Sequence, residues 1–531
     1  MTPEKWWKEA IVYQIYARSF KDGNGDGIGD LNGILTKIDY LSWLRIDAIC
    51  LNPIFDSPNE NNGYDTSDYY TIHTEYGKQE DFDDLLKALH EQGVKLILDI
   101  VVNHTSNEHY WFQEAKKSRE NIYYRYYLWW PEEDGEPPER ESFFDNPGKG
   151  WTYNLQTNSW YLHYFSPAQP DLNWENPAVR KEIHNIFRFW LQKGVDGFRL
   201  HDISFISKDI HFPKITKKII EHKYQGEWSH YYAQGPRLHE FLNEMRVEVF
   251  DHFDAVIIGE APGILAENAL SFVDPQRAEL DVFTHFEGIG MGYVSGEFRN
   301  VIPHTYDMRI FKNIFSRWND VFLNIGWGTI YLGNHDQPRM VSRWGNESPE
   351  YRKSSAKLLL TFLLTMRATP FIYNGDELGM TNISAAPGAG DDSRTPFPWT
   401  GDDGCGFSSA EPWISMDPNC VFINQEASMR DPDSILHYFK KFVLFRHSCK
   451  TLVYGNFIQL NTEDALYGFI RSDEKARLLI LLNFSDQRVS YIMQPLLVNP
   501  IKVLINNYSD VRINEKNLEM LPYQALIVDL S

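Results

Sequence analysis

Apolar runs and helical stripes alternate from the start of the chain. Residues 10–20 (AIVYQIYARSF) are almost continuously apolar, the pattern of a strand buried on both faces. Residues 31–44 carry helical spacing and lead into a second buried run at 46–55. A helical stripe at 82–92 then leads into a third run, VKLILDIVVNH at 94–104. Three such units point to a parallel sheet with crossover helices. The rhythm stops between residues 105 and 173, which are polar, aromatic and rich in Pro, Glu and Asn. That length is too great for a plain connection and predicts an inserted subdomain after strand three. Alternation resumes with a helix at 177–194 and the strand VDGFRLHD at 195–202, then runs at 255–261, 280–286, 327–336 and 369–374. The count is eight strands, which predicts an α/β fold, a (β/α)8 or TIM barrel. The barrel is expected over 1–104 and 174–453, with the insert at 105–173. Beyond about residue 454 the helical pattern ends. Short runs at 457–460, 478–484 and 525–530 predict a C-terminal all-β sandwich over 454–531.

Composition changes this picture in three places. Aromatic residues make up 15% of the 531 residues; most belong to cores, but flat apolar faces with polar tips also suit sugar rings. A formal charge of −22 argues against nucleic acid and anionic membranes as partners. Cys50, Cys405, Cys420 and Cys449 have neither metal-ligand spacing nor the density of a disulfide framework, so free thiols in a reducing compartment are expected. With no signal-peptide pattern and no apolar run of membrane length, the expected location is cytoplasmic.

The candidate chemistry lies at strand ends. Asp202, Glu260 and Asp336 each follow an apolar run, an arrangement that suggests carboxylate catalysis on the rim of a barrel. Asp99-Ile100-Val101-Val102-Asn103-His104, Gly197-Phe198-Arg199, Gly259-Glu260 and Asn334-His335-Asp336 resemble, in order, the four signature regions of the α-amylase superfamily, glycoside hydrolase family 13. Gln169-Pro170-Asp171-Leu172-Asn173 and Arg394-Thr395-Pro396 resemble further regions of its oligo-1,6-glucosidase and α-glucosidase branch. The resemblance covers nearly the whole chain. It implies a retaining exo-acting enzyme on a short oligosaccharide or disaccharide such as isomaltose, maltose or sucrose, with transglycosylation or sucrose isomerisation as close variants. Monomer and dimer both stay open.

A retaining glycosidase needs a nucleophilic carboxylate and a carboxylic acid ~5–5.5 Å apart. Glu260, at the end of a buried strand, is the expected acid/base, because burial raises a carboxyl pKa. The resemblance assigns Asp336 to the third acid that holds sugar hydroxyls, and His335 and His104 to hydrogen bonds on the same sugar. Arg199 would orient the nucleophile. It also implies that Tyr64 stacks on the terminal glucose and that Asp65 with Arg394 closes the pocket. Phe165, Asp99 and Arg339 complete the substrate-binding set. The loop Asp22-Gly23-Asn24-Gly25-Asp26-Gly27-Ile28-Gly29-Asp30 places oxygen ligands at alternate positions, which suits a hard cation. By resemblance it is a structural Ca²⁺ or Mg²⁺ site with Asp22, Asn24, Asp26 and Asp30 as side-chain ligands and Ile28 through its carbonyl; a metal-free Asp/Gly turn is the alternative.

One position departs from the family. The pattern Gly-Phe-Arg-x-Asp puts the nucleophile two residues after the arginine, where this chain has His201. Side chains alternate along a strand, so Arg199 and His201 share a face and Asp202 is expected on the other. Three accounts follow: a bulge at the strand end re-aims Asp202 into the site; the chain is an impaired relative that binds sugar without cleaving it; or it turns over by a modified route. Asp202 also stands where relatives carry the small or β-branched residue that helps select the linkage. Arg394-Thr395-Pro396-Phe397-Pro398-Trp399 likewise lacks the usual Met-Gln after the proline.

Overall fold

The computed structural model describes residues 4–143, 149–292, 306–383, 391–492, 502–509, 512–514 and 517–530. Eight parallel strands, β1 (Val12–Ile15), β2 (Ala48–Leu51), β3 (Lys95–Val101), β4 (Gly197–His201), β5 (Val256–Glu260), β6 (Val282–Thr284), β7 (Thr329–Ile330) and β8 (Thr369–Tyr373), form one sheet. Their order is β6-β5-β4-β3-β2-β1-β8-β7. A parallel bridge from Phe283 in β6 to Gly328, just before β7, joins the two ends into a barrel.

Alternation along each strand divides its side chains between two cores. Val12, Ala48, Cys50, Ile97, Val256, Ile258 and Val282 fill the barrel interior. Tyr13, Ile49, Leu51, Leu96, Leu98, Phe198, Leu200 and Ile257 pack outward against the helix layer. In β4 that parity sends Phe198 and Leu200 outward and leaves Arg199 and His201 facing in. Gly197 starts the strand because β5 runs too close for a side chain: a Cβ there would lie 2.4 Å from Val256 Cγ1 and 2.5 Å from the Val256 carbonyl oxygen.

Helix boundaries follow local caps. Asn176 caps the helix Pro177–Lys193 through Ala178 N–H, Pro177 occupies its first turn, and Gly194 ends it at φ 109°. The stripe expected at 31–44 is two helices, Leu31–Leu35 and Ile38–Leu44. The longest departure is at 327–336, expected as a strand. Only Thr329–Ile330 pairs there, and Asn334, His335 and Asp336 lie in the loop beyond.

Between β3 and β4 the chain forms the helix Tyr110–Ala115 and an antiparallel sheet with Ser159–Leu162 central between Trp129–Pro131 and Trp151–Asn154. After the barrel, a five-stranded antiparallel sheet and a three-stranded one enclose Leu466, Leu479, Leu481, Leu518, Met520, Leu526 and Val528. Among the described residues no helix is long and apolar enough to cross a membrane.

The cysteine expectation needs correction. Cys405 and Cys420 form a disulfide, with Cα atoms 6.1 Å apart, while Cys50 and Cys449 are free. The two half-cystines lie in separate 3-10 turns, Asp403–Gly406 and Pro418–Val421. Their approach comes from the fold of the loop after β8, and their spacing in the chain gives no sign of it.

Candidate active site

The C-terminal ends of β3, β4 and β5 bring Asp99, Arg199, His201 and Glu260 together. Asp99 pairs with Arg199 in register across β3 and β4, and Val101 with His201. Arg199 is buried and forks between two carboxylates: Nη1 donates to Asp99 Oδ2 at 2.7 Å, and Nη2 donates to Glu260 Oε1. It was expected to orient a nucleophile from its own strand. It instead ties the acid on β5 to the carboxylate on β3, because position 201 offers it no carboxylate.

His201 completes a chain of charges. Its Nδ1 lies 2.8 Å from Glu260 Oε2 and its Nε2 lies 2.9 Å from Asp202 Oδ2. Burial disfavours an imidazolium here, but Asp202 and Glu260 outweigh it and raise the pKa well above the usual histidine range. A cation therefore occupies the position where the family places an anion.

The state of Glu260 follows from these neighbours. Burial alone would raise its carboxyl pKa, as expected from the sequence, but the charge of Arg199 and the hydrogen bond and charge of His201 lower it to about 2. Glu260 is thus held ionised at neutral pH rather than poised to donate a proton. Asp99 moves the other way, raised chiefly by burial against the pull of Arg199.

Asp202 does not follow a bulge. The pairing of β4 with β3 and β5 runs without a register shift. The strand ends at His201, and Asp202 adopts left-handed φ 50°, ψ 35°. That turn brings its carboxylate back to the His201 ring instead of the outer face expected from strict alternation. The imidazole of His201 stands between the carboxylates of Asp202 and Glu260.

Asp336 is the most open of the acids, with a third of its side chain exposed. It meets His335 Nε2 at 2.9 Å and accepts from Arg394 Nη2 at 2.7 Å. Asn52 donates to His335 Nδ1 at 3.0 Å, which makes that nitrogen the acceptor and puts the proton on Nε2. Tyr64 donates to Asp99 Oδ2 at 2.8 Å. Its ring stacks on His335, with centroids 5.3 Å apart, and lies 4.5 Å from His201. Two imidazoles, one stacked and one tilted, thus lie against Tyr64. His104 Nε2 lies 3.0 Å from the Tyr64 carbonyl, and the His104 ring lies 5.0 Å from Phe165. Burial lowers the His104 pKa to about 3, so it is neutral.

Two assignments separate from the cluster. Asp65, expected to close the pocket together with Arg394, accepts from Ser57 Oγ and from the N–H groups of Glu60 and Asn61, so its own loop holds it. Arg394 also donates to the His335 carbonyl. Arg339 donates to the Asn374 carbonyl and lies over Tyr373 at the end of β8, behind the site rather than in it. Gln14 and Asn52, which both contact His335, were not singled out. The available signal was a polar side chain inside one apolar run and another at the end of the next. Lys208 was likewise missed. It is buried, 3.2 Å from Asp171 Oδ2, with Asn103 Oδ1 at 2.5 Å.

The loop 22–30 turns through Gly25 and Gly27 at φ 84° and 92°. Asp22 accepts from the N–H groups of Asn24, Gly25 and Gly27, and Asp30 accepts from those of Gly23, Asn24 and Gly33. With Ser408 Oγ as a fourth donor the acceptor sites of Asp22 are filled, whereas Asp30 keeps one on Oδ1. Asp22, Asn24, Asp26, Asp30 and the Ile28 carbonyl are oxygen donors of the kind a hard cation takes, but the three carboxylates do not bring an oxygen each within 4.8 Å of one another.

Strand-end acids, a buried arginine and histidines thus gather on the C-terminal rim of a (β/α)8 barrel, the place where barrel enzymes carry their active sites. Residues 14–455 match the catalytic domain of the α-amylase family, and the chain belongs to that family of glycoside hydrolases. It is 39% identical to the oligo-1,6-glucosidase of Parageobacillus thermoglucosidasius, over 98% of each chain. It is 37% identical to the trehalose-6-phosphate hydrolase of Bacillus subtilis strain 168, over 99% of this chain and 98% of that one. The structure of the isomaltulose synthase SmuA from Protaminobacter rubrum superposes with a TM-score of 0.94 at 38% identity, covering 99% of this chain and 100% of that one. By family the protein is thus a glycoside hydrolase.

Proposed function

We propose that the protein is an exo-acting α-glucosidase for short α-glucosides such as isomaltose, maltose or sucrose, with a cleavage step throttled by His201. The observation that carries this reading is the His201 ring between Glu260 and Asp202. Asp336, His335 and Arg394 offer hydrogen-bonding groups for the hydroxyls of a terminal glucosyl unit. Glu260 is the acid/base, but it must first gain a proton, which Arg199 and His201 oppose. Asp202 is the only carboxylate on the β4 end that could act as nucleophile, and the imidazole ring stands between it and Glu260. A second reading, sugar binding without cleavage, draws on the same clamp: with Glu260 ionised, no acid is ready for the leaving oxygen.

Glucose release from isomaltose, maltose and sucrose, with chromatography of all products, tests the proposal. Slow release that Asp336→Asn abolishes is expected. Binding of all three sugars with no product would leave only the second reading, whereas isomaltulose or trehalulose from sucrose would move the reading to transglycosylation.

We also propose that the loop 22–30 holds Ca²⁺ or Mg²⁺ through Asp22, Asn24, Asp26, Asp30 and the Ile28 carbonyl, in a structural role. EGTA is expected to lower Tm by several degrees in calorimetry, and added Ca²⁺ to restore it. Asp22→Asn should lose the response. An unchanged Tm with and without chelator would mark the loop as a metal-free turn.

A further inference from the structure

His201 does more than remove a carboxylate. One ligand atom each from Asp99, His201 and Glu260 lie within 4.8 Å of one another, the only such group of three or more His, Cys, Asp or Glu among the described residues. We propose that these three residues form a binding site for a first-row divalent ion of the Zn²⁺ type, created by the histidine at this position.

Four features of the cluster support the site. His201 presents Nδ1 to Glu260 Oε2 at 2.8 Å, so that nitrogen faces the acids. Its other nitrogen, Nε2, meets Asp202 Oδ2 at 2.9 Å. That is the carboxylate–histidine–metal arrangement, in which an outer carboxylate fixes the tautomer and raises ligand basicity. The left-handed turn at Asp202 thereby acquires a purpose, since it places the carboxylate behind the ring. Asp99 is buried, and its Oδ1 has no hydrogen-bond partner. A buried carboxylate oxygen without a donor is costly, and a bound ion would satisfy it.

Charge and chemistry select the ion. Arg199 binds Asp99 Oδ2 and Glu260 Oε1, leaving Asp99 Oδ1, Glu260 Oε2 and His201 Nδ1 as donors. Three carboxylates, one guanidinium and a neutral imidazole sum to two negative charges, which a divalent ion neutralises. On binding, the ion takes the place of the Nδ1 proton, and that proton leaves to solvent. One imidazole with two carboxylates favours Zn²⁺ over Ca²⁺ or Mg²⁺, which prefer oxygen alone. Ligands of a tetrahedral Zn²⁺ sit roughly 3.3 Å apart for bonds of ~2.0–2.1 Å, so His201 Nδ1 and Glu260 Oε2, now 2.8 Å apart, must open slightly to admit the ion.

The test uses the full chain, stripped with chelator and returned to excess Ca²⁺ so that the loop 22–30 is filled. Zn²⁺ is then added and followed by calorimetry and elemental analysis, without substrate, so the outcome does not depend on turnover. One equivalent is expected to bind with a micromolar or tighter Kd. His201→Gln should weaken it at least 100-fold, and Asp202→Asn by roughly 10–100-fold. Co²⁺ in place of Zn²⁺ should give a visible absorption band that His201→Gln removes. If His201→Gln does not fold, His201→Asp serves, since it restores the residue expected from the family and should also lose the ion. Failure of the unaltered chain to bind Zn²⁺ would overturn the proposal, as would an unchanged stoichiometry and affinity in the His201 variants.

Discussion

His201→Asp should raise kcat/KM for isomaltose, maltose or sucrose by about 10³–10⁵, equivalent to ~4–7 kcal/mol of transition-state stabilisation. Three changes act together. A carboxylate replaces an imidazolium beside the developing oxocarbenium ion, and one well-placed electrostatic group alone is worth ~10²–10³ in rate. Position 201 faces inward with Arg199 on β4, so the new carboxylate enters the site without any change of register. Glu260 exchanges a cationic neighbour for an anionic one, which raises its pKa from about 2 toward the range of a general acid. The variant should accordingly show a bell-shaped pH–rate profile and net retention at the anomeric carbon by NMR. A folded His201→Asp variant no faster than the parent would sink this account, and a parent already turning over at the rate of the variant would sink it equally.

Arg199→Met should be the most damaging single change to stability near the site. It leaves Asp99 and Glu260 as buried carboxylates without their shared cation, and breaking a buried pair from one side costs about 3–5 kcal/mol. The loss should depend on pH in a defined direction. In the parent, Glu260 has a folded pKa of about 2, below its ordinary value. Its contribution is present above ~4.5 and is lost as pH falls toward 2. Without Arg199 the buried Asp99 carboxylate prefers the protonated form, while Glu260 keeps only its pairing with His201, so acid relieves the variant while it weakens the parent. The Tm gap in calorimetry should be several degrees at pH 7 and smaller at pH 4.5. A gap that is constant across that range would show that the ion pairs do not carry it.

The relation between chain and site explains which expectations held. The barrel was legible because apolar runs and helical stripes are local patterns with fixed periods. The shared face of Arg199 and His201 was legible for the same reason. Local periodicity failed where pairing ended. β7 pairs over Thr329–Ile330 alone, so His335 and Asp336 are placed by contacts with Asn52, Tyr64 and Arg394. Arg339 carried no local mark of its direction, and Asn374 and Tyr373 draw it behind the site. The Cys405–Cys420 bond likewise depends on how one loop folds back on itself.

By itself the sequence determined the architecture, the family and the substitution at position 201, since all three are written in residue order and spacing. The tertiary structure alone decided what that histidine does. The pKa of Glu260 is set by Arg199 and His201 on a neighbouring strand, about 60 positions back in the chain. The left-handed turn sends Asp202 to the back of the ring, and the oxygen of Asp99 left without a donor is seen only when every neighbour is in place. Charge and hydrogen bonding act through space over a few ångströms, and the chain order does not encode those distances.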